Sequence, residues 1–151
     1  MSISIPSEGQ ARLSRSSTET EELAADLAGR LSPGDVVLIS GELGAGKTTF
    51  VRGASRALGV TVPVTSPTFT IGQRYPAEGG RTVGHVDLYR IGTLQDEDPD
   101  LLADYTGPDM ITFVEWPEGA ESDLDALAHI AFRVRLAHAG GDERTLEIAS
   151  A

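Results

Sequence analysis

The sequence contains no cysteine and a single lysine in 151 residues. Without cysteine there are no disulfide bonds and no thiolate metal sites, which agrees with a reducing compartment. No stretch approaches the run of about 18 apolar residues that a membrane-spanning helix needs. The first ten residues, MSISIPSEGQ, lack the basic region and the apolar run of a secretory signal. We therefore expect a soluble, cytoplasmic protein with no membrane partner.

Basic side chains are also scarce, because 12 lysine and arginine residues face 23 aspartate and glutamate residues, for a formal net charge of −11. Such a charge opposes unaided binding to a phosphate backbone and argues against a freestanding nucleic-acid-binding protein. Two interpretations of the acidity stay open, namely simple solubility or a recruitment surface for a basic protein partner. The length and an apolar content of 40% predict one globular domain over residues 1–151.

Apolar periodicity predicts one amphipathic helix and two buried strands. Leu23, Leu27 and Leu31 recur every four residues, and Thr18 with Glu21 has the spacing of a capping box at the start of this helix. Two continuous apolar runs are typical of strands covered on both faces. They are DVVLIS at residues 35–40 and MITFVEW at residues 110–116.

Paired glycines predict two hairpins. The first turns at Gly79 and Gly80, between residues 68–75 and 81–90. The second turns at Gly140 and Gly141 and is a half-exposed closing hairpin, with apolar residues at alternate positions: Ile130, Phe132, Val134, Leu136, Leu146 and Ile148. A short helix is expected over residues 96–105, where acidic residues occupy the favourable N-terminal end.

The single lysine, Lys47, lies in GELGAGKTTF at residues 41–50, which fits the phosphate-binding motif G-x-x-x-x-G-K-[ST]. The glycines let backbone N–H groups approach phosphate oxygens, and the following helix presents its positive dipole end. Lys47 supplies a slim ammonium that a branched guanidinium cannot replace in a tight loop. The Thr48 hydroxyl is a candidate magnesium ligand. The sequence therefore predicts a site for a magnesium-bound nucleotide.

Strand 35–40, the glycine loop and a helical pattern over residues 46–58 are contiguous. This arrangement predicts an α/β domain of the P-loop NTPase-like kind, with three layers, a mixed and mainly parallel central sheet, and antiparallel hairpins. Asp87 and Glu115 lie at the ends of two predicted strands, where open α/β folds bind their ligands. They are candidates for the metal carboxylate and for the group that orients the attacking nucleophile.

Other polar and aromatic residues have less specific signals. Thr68 or Ser66, in TSPTFT, is a candidate to approach the terminal phosphate. Trp116 and Tyr89 are either core aromatics or anchors for a partner. We interpret His85 as a packed strand residue, because no second histidine lies at ligand spacing.

Four motifs in this order, GELGAGKTTFVRG, SPTFT, HVDLYR and VEWPE, span residues 41–118. Together they resemble the bacterial TsaE (YjeE) family of tRNA threonylcarbamoyladenosine biosynthesis proteins. The resemblance implies a magnesium-dependent ATPase that binds ATP and ADP, is slow alone and is stimulated by its partners. Those partners are the TsaB and TsaD proteins, and tRNA is reached only through their complex, which modifies adenosine 37.

The resemblance also implies roles for individual residues. Thr48 and Glu115 are expected to hold magnesium, and Asp87 to be the catalytic or water-positioning carboxylate. The start of the first helix, near Ser17 and Thr18, and the loop at residues 140–144 are expected to complete the nucleotide pocket. The predicted catalytic residues are Asp87, Glu115, Lys47 and Thr68. The predicted nucleotide-binding residues are Leu43, Gly44, Ala45, Gly46, Lys47, Thr48, Thr49, Ser17, Trp116 and Glu118.

Three other functions fit part of the pattern. A regulatory GTPase has the same loop, but residues 87–90 read DLYR in place of D-x-x-G, and no lysine is left for a guanine-reading N-K-x-D. A small-molecule kinase needs a substrate pocket and an arginine-rich lid, for which no segment is evident. A nucleotide-gated interaction module with negligible turnover differs from the ATPase mainly in rate.

Overall fold

The computed structural model describes residues 3–67, 70–89 and 100–150. Three α-helices are described, at Ser17–Ala28 (α1), Lys47–Ala57 (α2) and Glu121–Leu127 (α3), together with short 3-10 helices at Glu78–Gly80 and Ala103–Tyr105. The strands are β1 (Ala11–Ser14), β2 (Asp35–Ser40), β3 (Gly72–Pro76), β4 (Thr82–Asp87), β5 (Met110–Glu115), β6 (His129–Gly140) and β7 (Glu143–Ser150). Within the described ranges, no helix has both the length and the apolar character that crossing a membrane requires.

The strands form one sheet in the order β1-β7-β6-β2-β5-β4-β3. Its centre is parallel, because β2 pairs with β6 on one side and with β5 on the other, and β5 pairs with β4. Its edges are antiparallel hairpins, with β3 on β4, β7 on β6, and β1 on β7. The predicted mixed α/β sheet, parallel at its centre with antiparallel hairpins, is confirmed.

Apolar side chains cover both faces of the sheet, as the continuous runs in β2 and β5 predict. On one face, Ile39 and Phe113 pack in a core with Leu27 of α1 and Phe50 of α2. On the other face, the residues that share a second core include Val36, Leu38, Val114, Leu102 and, from α3, Leu124. Helices therefore lie on both faces of the sheet, and the three layers are confirmed.

Helices α1 and α2 approach each other closely at Gly53. A β-carbon at this position would lie 2.4 Å from the backbone oxygen of Glu21, so a larger residue would force the helices apart. This contact holds the middle of α2 against the first half of α1.

The N-terminus of α1 differs from the prediction. The N-cap is Ser16, whose hydroxyl accepts a hydrogen bond from the N–H of Glu19, and the Glu19 carboxylate accepts one from the N–H of Arg15. The capping pair is thus two residues earlier than Thr18 and Glu21. Three consecutive hydroxyl residues made the choice ambiguous, and only the extended backbone at Ser16 (φ −160°) resolves it.

The closing hairpin also departs from simple alternation. A bulge places Ile130 opposite Val36 and Phe132 opposite Val37, so Ala131 is the extra residue. Ile130 therefore faces the α3 side, whereas Val134 and Leu136 face α1 and α2. The predicted alternation is therefore interrupted between Ile130 and Phe132.

Two short elements, β1 and α3, were not predicted, because four and seven residues carry little periodicity. The helix expected over residues 96–105 begins on residues 96–99, which lie outside the described residues. Its described part is a turn and the 3-10 helix at Ala103–Tyr105.

Candidate functional site

The glycine loop joins the carboxyl end of β2 to the start of α2. Gly41, Gly44 and Gly46 have φ angles of 151°, 76° and 99°, which side-chain-bearing residues rarely adopt. A β-carbon on Gly41 would also lie 2.4 Å from the backbone oxygen of Leu136. Gly46 is the N-cap of α2, so the first amides of this helix are available to an anion bound by the loop.

Lys47 is folded back into this loop and is only 5% exposed. Its Nζ donates to the backbone oxygens of Gly41 at 2.6 Å and Glu42 at 2.8 Å, and lies 4.2 Å from the centroid of the Trp116 ring. Burial lowers the pKa of Lys47, while the negative charge of Glu115 acts in the opposite direction. The ammonium of Lys47 therefore lies inside the loop, where the charge of Glu115 acts on it.

Glu115 ends β5 and is 2% exposed. Its carboxylate accepts from the Thr48 hydroxyl, with Oγ1 at 3.0 Å from Oε2 and 3.2 Å from Oε1. The same oxygen of Thr48 lies 3.0 Å from the Ser66 hydroxyl, and Glu115 Oε2 lies 2.5 Å from Nε2 of His85. The structure thus places the two predicted magnesium ligands, Thr48 and Glu115, in direct contact.

A hydroxyl and a carboxylate are the hard oxygen donors that magnesium prefers, and magnesium is usually held by one or two protein groups together with substrate phosphates. Thr48 and Glu115 fit that chemistry. Within the described part of the chain, no three histidine, aspartate or glutamate side chains converge on a metal position.

Asp87 ends β4 and pairs in register with Glu115 on the neighbouring strand. Its half-buried carboxylate accepts from the N–H of Tyr89 at 3.0 Å. Burial raises the pKa of Asp87, and the charge of Glu115 adds to this, whereas the Tyr89 amide, His85 and Lys47 lower it. Because β2, β5 and β4 are adjacent and parallel, their carboxyl ends bring Lys47, Glu115 and Asp87 to one edge.

Trp116 follows Glu115 directly and has a positive φ of 57°, a conformation that is strained for a bulky residue. The backbone N–H of Trp116 donates to the backbone oxygen of Ile39 at 3.2 Å. Its ring lies 4.8 Å from that of Tyr89, centroid to centroid, and under the Lys47 ammonium. The strained backbone thus directs an aromatic ring against the loop lysine.

Two cavities lie on either side of the glycine loop and share Gly44, Gly46 and Thr49. We call the first, of about 330 Å³, the carboxylate pocket; its other lining residues are Leu43, Lys47, Thr48, Ser66, Asp87, Tyr89, Glu115 and Trp116. We call the second, of about 250 Å³, the hairpin pocket; its other lining residues are Ser16, Ser17, Thr20, Asp142 and Arg144.

The predicted nucleotide-binding residues are divided between these pockets, with two exceptions. Ala45 is fully buried beneath the loop. Glu118 is exposed and lines a separate open groove of about 570 Å³, which shares Leu43, Tyr89 and Trp116 with the carboxylate pocket. Thr68 lies outside the described residues.

The β6–β7 hairpin is hydrogen-bonded to the glycine loop. The Arg144 guanidinium donates to the backbone oxygen of Gly44 from Nε at 3.2 Å and from Nη2 at 2.9 Å. His138 Nε2 lies 3.0 Å from the backbone oxygen of Leu43. The family resemblance led us to expect the loop at residues 140–144 near the nucleotide pocket, but not these individual contacts, because they join positions about 100 residues apart and no local pattern marks them.

His85 was also interpreted only as a packed strand residue. Packing is confirmed, since the side chain is fully buried, but it also contacts the Glu115 carboxylate. A signal was available, because His85 and Asp87 are two positions apart on one strand and therefore point to the same face.

Comparisons with known proteins show the family of this chain. The family model "Threonylcarbamoyl adenosine biosynthesis protein TsaE" matches residues 14–146. A protein named tRNA threonylcarbamoyladenosine biosynthesis protein TsaE from Streptomyces coelicolor is 45% identical over 80% of this chain and 80% of its own. The protein of that name from Bacillus subtilis is 39% identical over 85% and 77%. The crystal structure of Bacillus subtilis YdiB is 30% identical, covers 94% of this chain and 86% of its own, and has a TM-score of 0.71.

Proposed function

Because the chain belongs to the TsaE family, we propose that it acts in the formation of N6-threonylcarbamoyladenosine at position 37 of tRNAs. Its part is that of an ATP-binding subunit that hydrolyses ATP slowly and works with the TsaB and TsaD proteins in the cytoplasm. The observation that supports this best is the contact of Thr48 with Glu115 beside the buried Lys47, at the start of α2.

In this proposal the phosphates of ATP or ADP lie along the loop from Leu43 to Thr49. The amides at the start of α2 and the Lys47 ammonium bind the phosphate oxygens. Thr48 and Glu115 would hold magnesium, which would supply positive charge to the phosphate oxygens. Burial lowers the pKa of Lys47, but the negative charges of Glu115 and Asp87 favour its ammonium form, which offsets the charge of a bound polyphosphate.

In the same proposal, Asp87 orients the attacking water. Its carboxylate is half-buried next to Glu115 and is fixed by the N–H of Tyr89. A fixed carboxylate can accept a hydrogen bond from water and hold the oxygen in line for attack. Ser66 of the TSPTFT segment lies beside Thr48, with the two hydroxyl oxygens 3.0 Å apart.

The base and ribose are proposed to lie in the hairpin pocket. The loop separates the two pockets, so a nucleotide whose phosphates lie on the loop extends from the carboxylate pocket towards Ser17 and Asp142. Arg144, by its two bonds to the Gly44 oxygen, sets the shape of the loop at the point where the pockets meet.

Access to tRNA is proposed to be indirect. The net charge of −11 repels a phosphate backbone at long range. A protein with this charge reaches tRNA more readily through partners that supply the basic surface.

Phosphate release tests this proposal. The wild type should release phosphate from ATP slowly with magnesium, and faster when TsaB and TsaD are added. Glu115→Gln should lower the rate about 100-fold, because it removes the charge that holds magnesium. Glu121→Gln, an exposed carboxylate of α3, is the matched control and should leave the rate unchanged. Magnesium-independent binding of ADP to Glu115→Gln should stay near wild type.

A nucleotide-gated interaction module is the second candidate. The groove beside the loop exposes Leu43, which is 64% exposed, and Tyr89, which is 52% exposed, and both also line the carboxylate pocket. Bound nucleotide would then change a docking surface directly. Equal and negligible phosphate release with and without the partners, together with nucleotide-dependent complex formation, would favour this function over the ATPase.

A further inference from the structure

His85 of β4 is the only histidine among the described residues that is fully buried, at 0% exposure. Its Nε2 lies 2.5 Å from Oε2 of Glu115, and the two side chains are 0% and 3% exposed. Its Nδ1 is also buried and has no hydrogen-bond partner within the described ranges. The imidazole therefore has one polar contact, and that contact is the carboxylate proposed to hold magnesium.

This pattern of contacts selects one tautomer of the ring. A buried N–H without an acceptor is rare and costly, whereas a buried lone pair is tolerated more often. The neutral tautomer with its proton on Nε2 leaves no donor unpaired, because that proton points to Glu115. His85 thus donates to Glu115 Oε2 through a single hydrogen bond.

The two groups that contact the Glu115 carboxylate do so differently. The Thr48 hydroxyl lies within reach of both oxygens, at 3.0 Å and 3.2 Å, and by itself fixes neither. His85 contacts Oε2 only, so it sets the rotation of the carboxylate and leaves Oε1 with the smaller number of hydrogen bonds. Groups that form a hydrogen bond to a metal ligand, without contacting the metal, commonly tune metal affinity.

We propose that His85 is a positioning residue, which orients the Glu115 carboxylate for magnesium by donating from Nε2. The inference rests on the proposed magnesium-nucleotide function and adds a residue that acts on the metal only through Glu115. Packing alone does not account for a histidine here, because an apolar side chain would fill a buried strand position without leaving Nδ1 unpaired.

Glutamine and asparagine distinguish the two ring nitrogens. The amide nitrogen of glutamine falls near the position of Nε2, and that of asparagine near the position of Nδ1. The readout is ADP affinity by calorimetry, measured with magnesium and again with EDTA. We call the ratio of ADP affinity with magnesium to ADP affinity in EDTA the magnesium gain. His85→Asn and His85→Leu should lower the magnesium gain about 10-fold, with unchanged affinity in EDTA. His85→Gln should keep most of the magnesium gain.

A matched control is Thr112→Val on β5. Thr112 is also buried and polar, but its hydroxyl bonds to the backbone oxygen of Tyr105. This variant should lower the melting temperature and leave the magnesium gain intact. If His85→Leu does not fold, the comparison of His85→Gln with His85→Asn decides the question.

Three outcomes would overturn the inference. His85→Leu with lower stability but a native magnesium gain would make the histidine a core residue only. Equal gains in His85→Gln and His85→Asn would mean that Nε2 is not the donor. A wild type whose ADP affinity does not respond to magnesium would remove the metal site itself, and with it the metal-dependent part of the proposed function.

Discussion

The carboxylate pocket and the hairpin pocket share the glycine loop but are built differently. In the first, Lys47 and Glu115 are 5% and 2% exposed, and each is held by several hydrogen bonds. In the second, Ser17 and Asp142 are exposed. The proposed phosphate and metal end of the site is thus preorganised, whereas the proposed base end is open.

This difference follows from the elements that form each pocket. The carboxylate pocket lies where three adjacent parallel strands end, on a sheet whose core fixes each position. The hairpin pocket lies between the start of α1 and the β6–β7 turn, and Arg144 ties it to the loop. Substitution of the buried Lys47 in the first pocket should therefore lower ATP affinity much more than substitution of Arg144 in the second.

The largest effect is expected from Lys47→Ala. Removing the ammonium leaves the bound phosphates without their central positive charge, at a cost of about 4 kcal/mol, so ATP affinity should fall about 1000-fold. Calorimetric titration with ATP and magnesium measures this change.

Arg56→Ala is the control for Lys47→Ala, because it removes a positive charge from the same helix at a side chain that is 65% exposed. It should bind ATP like the wild type. Native ATP affinity in Lys47→Ala would mean that the nucleotide does not lie on this loop, and the contrast between the pockets would lose its basis.

A smaller effect is expected from Arg144→Ala in the hairpin pocket. The substitution removes both hydrogen bonds to the Gly44 oxygen, so the loop loses a support but keeps its own amides and Lys47. ATP affinity should fall about 10-fold, in proportion to one or two lost charge-assisted bonds.

Arg133→Ala is the matched control for Arg144→Ala, since Arg133 is on β6 but pairs with Glu121, away from the loop. If Arg144→Ala lost as much ATP affinity as Lys47→Ala, the hairpin pocket would be as tightly organised as the carboxylate pocket.

The smallest effect concerns stability and Asp87. Burial raises the pKa of this carboxyl in the folded state, so its ionised form opposes folding at pH 7 and the penalty fades as the pH falls below its folded pKa. Asp87→Asn should therefore melt at a slightly higher temperature than the wild type at pH 7. The difference should shrink as the pH approaches about 4.

Both proteins in the Asp87 experiment are measured without nucleotide or magnesium, and Asp125→Asn, at an exposed position of α3, serves as the control. If Asp87→Asn were less stable than the wild type at pH 7, ionised Asp87 would stabilise the fold, and burial of its charge would carry no net penalty.

The residues of the carboxylate pocket could be expected to lie together, because a motif and two strand ends mark them in the sequence. A glycine loop has few ways to connect a buried strand to a helix, and strand-end carboxylates of a parallel sheet necessarily meet at one edge. The location of His85 on the same side of the sheet as Asp87 could also be predicted, because the two residues are two positions apart on one strand.

The hairpin pocket depends on tertiary pairing that no local pattern contains. Arg144 reaches Gly44 only after β7 has paired with β6 and β6 with β2, and the bulge at Ala131 changes which β6 side chains face α1 and α2. Ser16 was missed as the N-cap for a similar reason, because its backbone conformation selects it from three neighbouring hydroxyl residues.

A crystal structure with magnesium and a non-hydrolysable ATP analogue tests the central claim most directly. We expect the terminal phosphates within hydrogen-bonding distance of Lys47 Nζ and of the amides at the start of α2, with magnesium between Thr48, Glu115 and a phosphate oxygen. A nucleotide bound elsewhere, with Lys47 still bonded only to the Gly41 and Glu42 oxygens, would contradict the account.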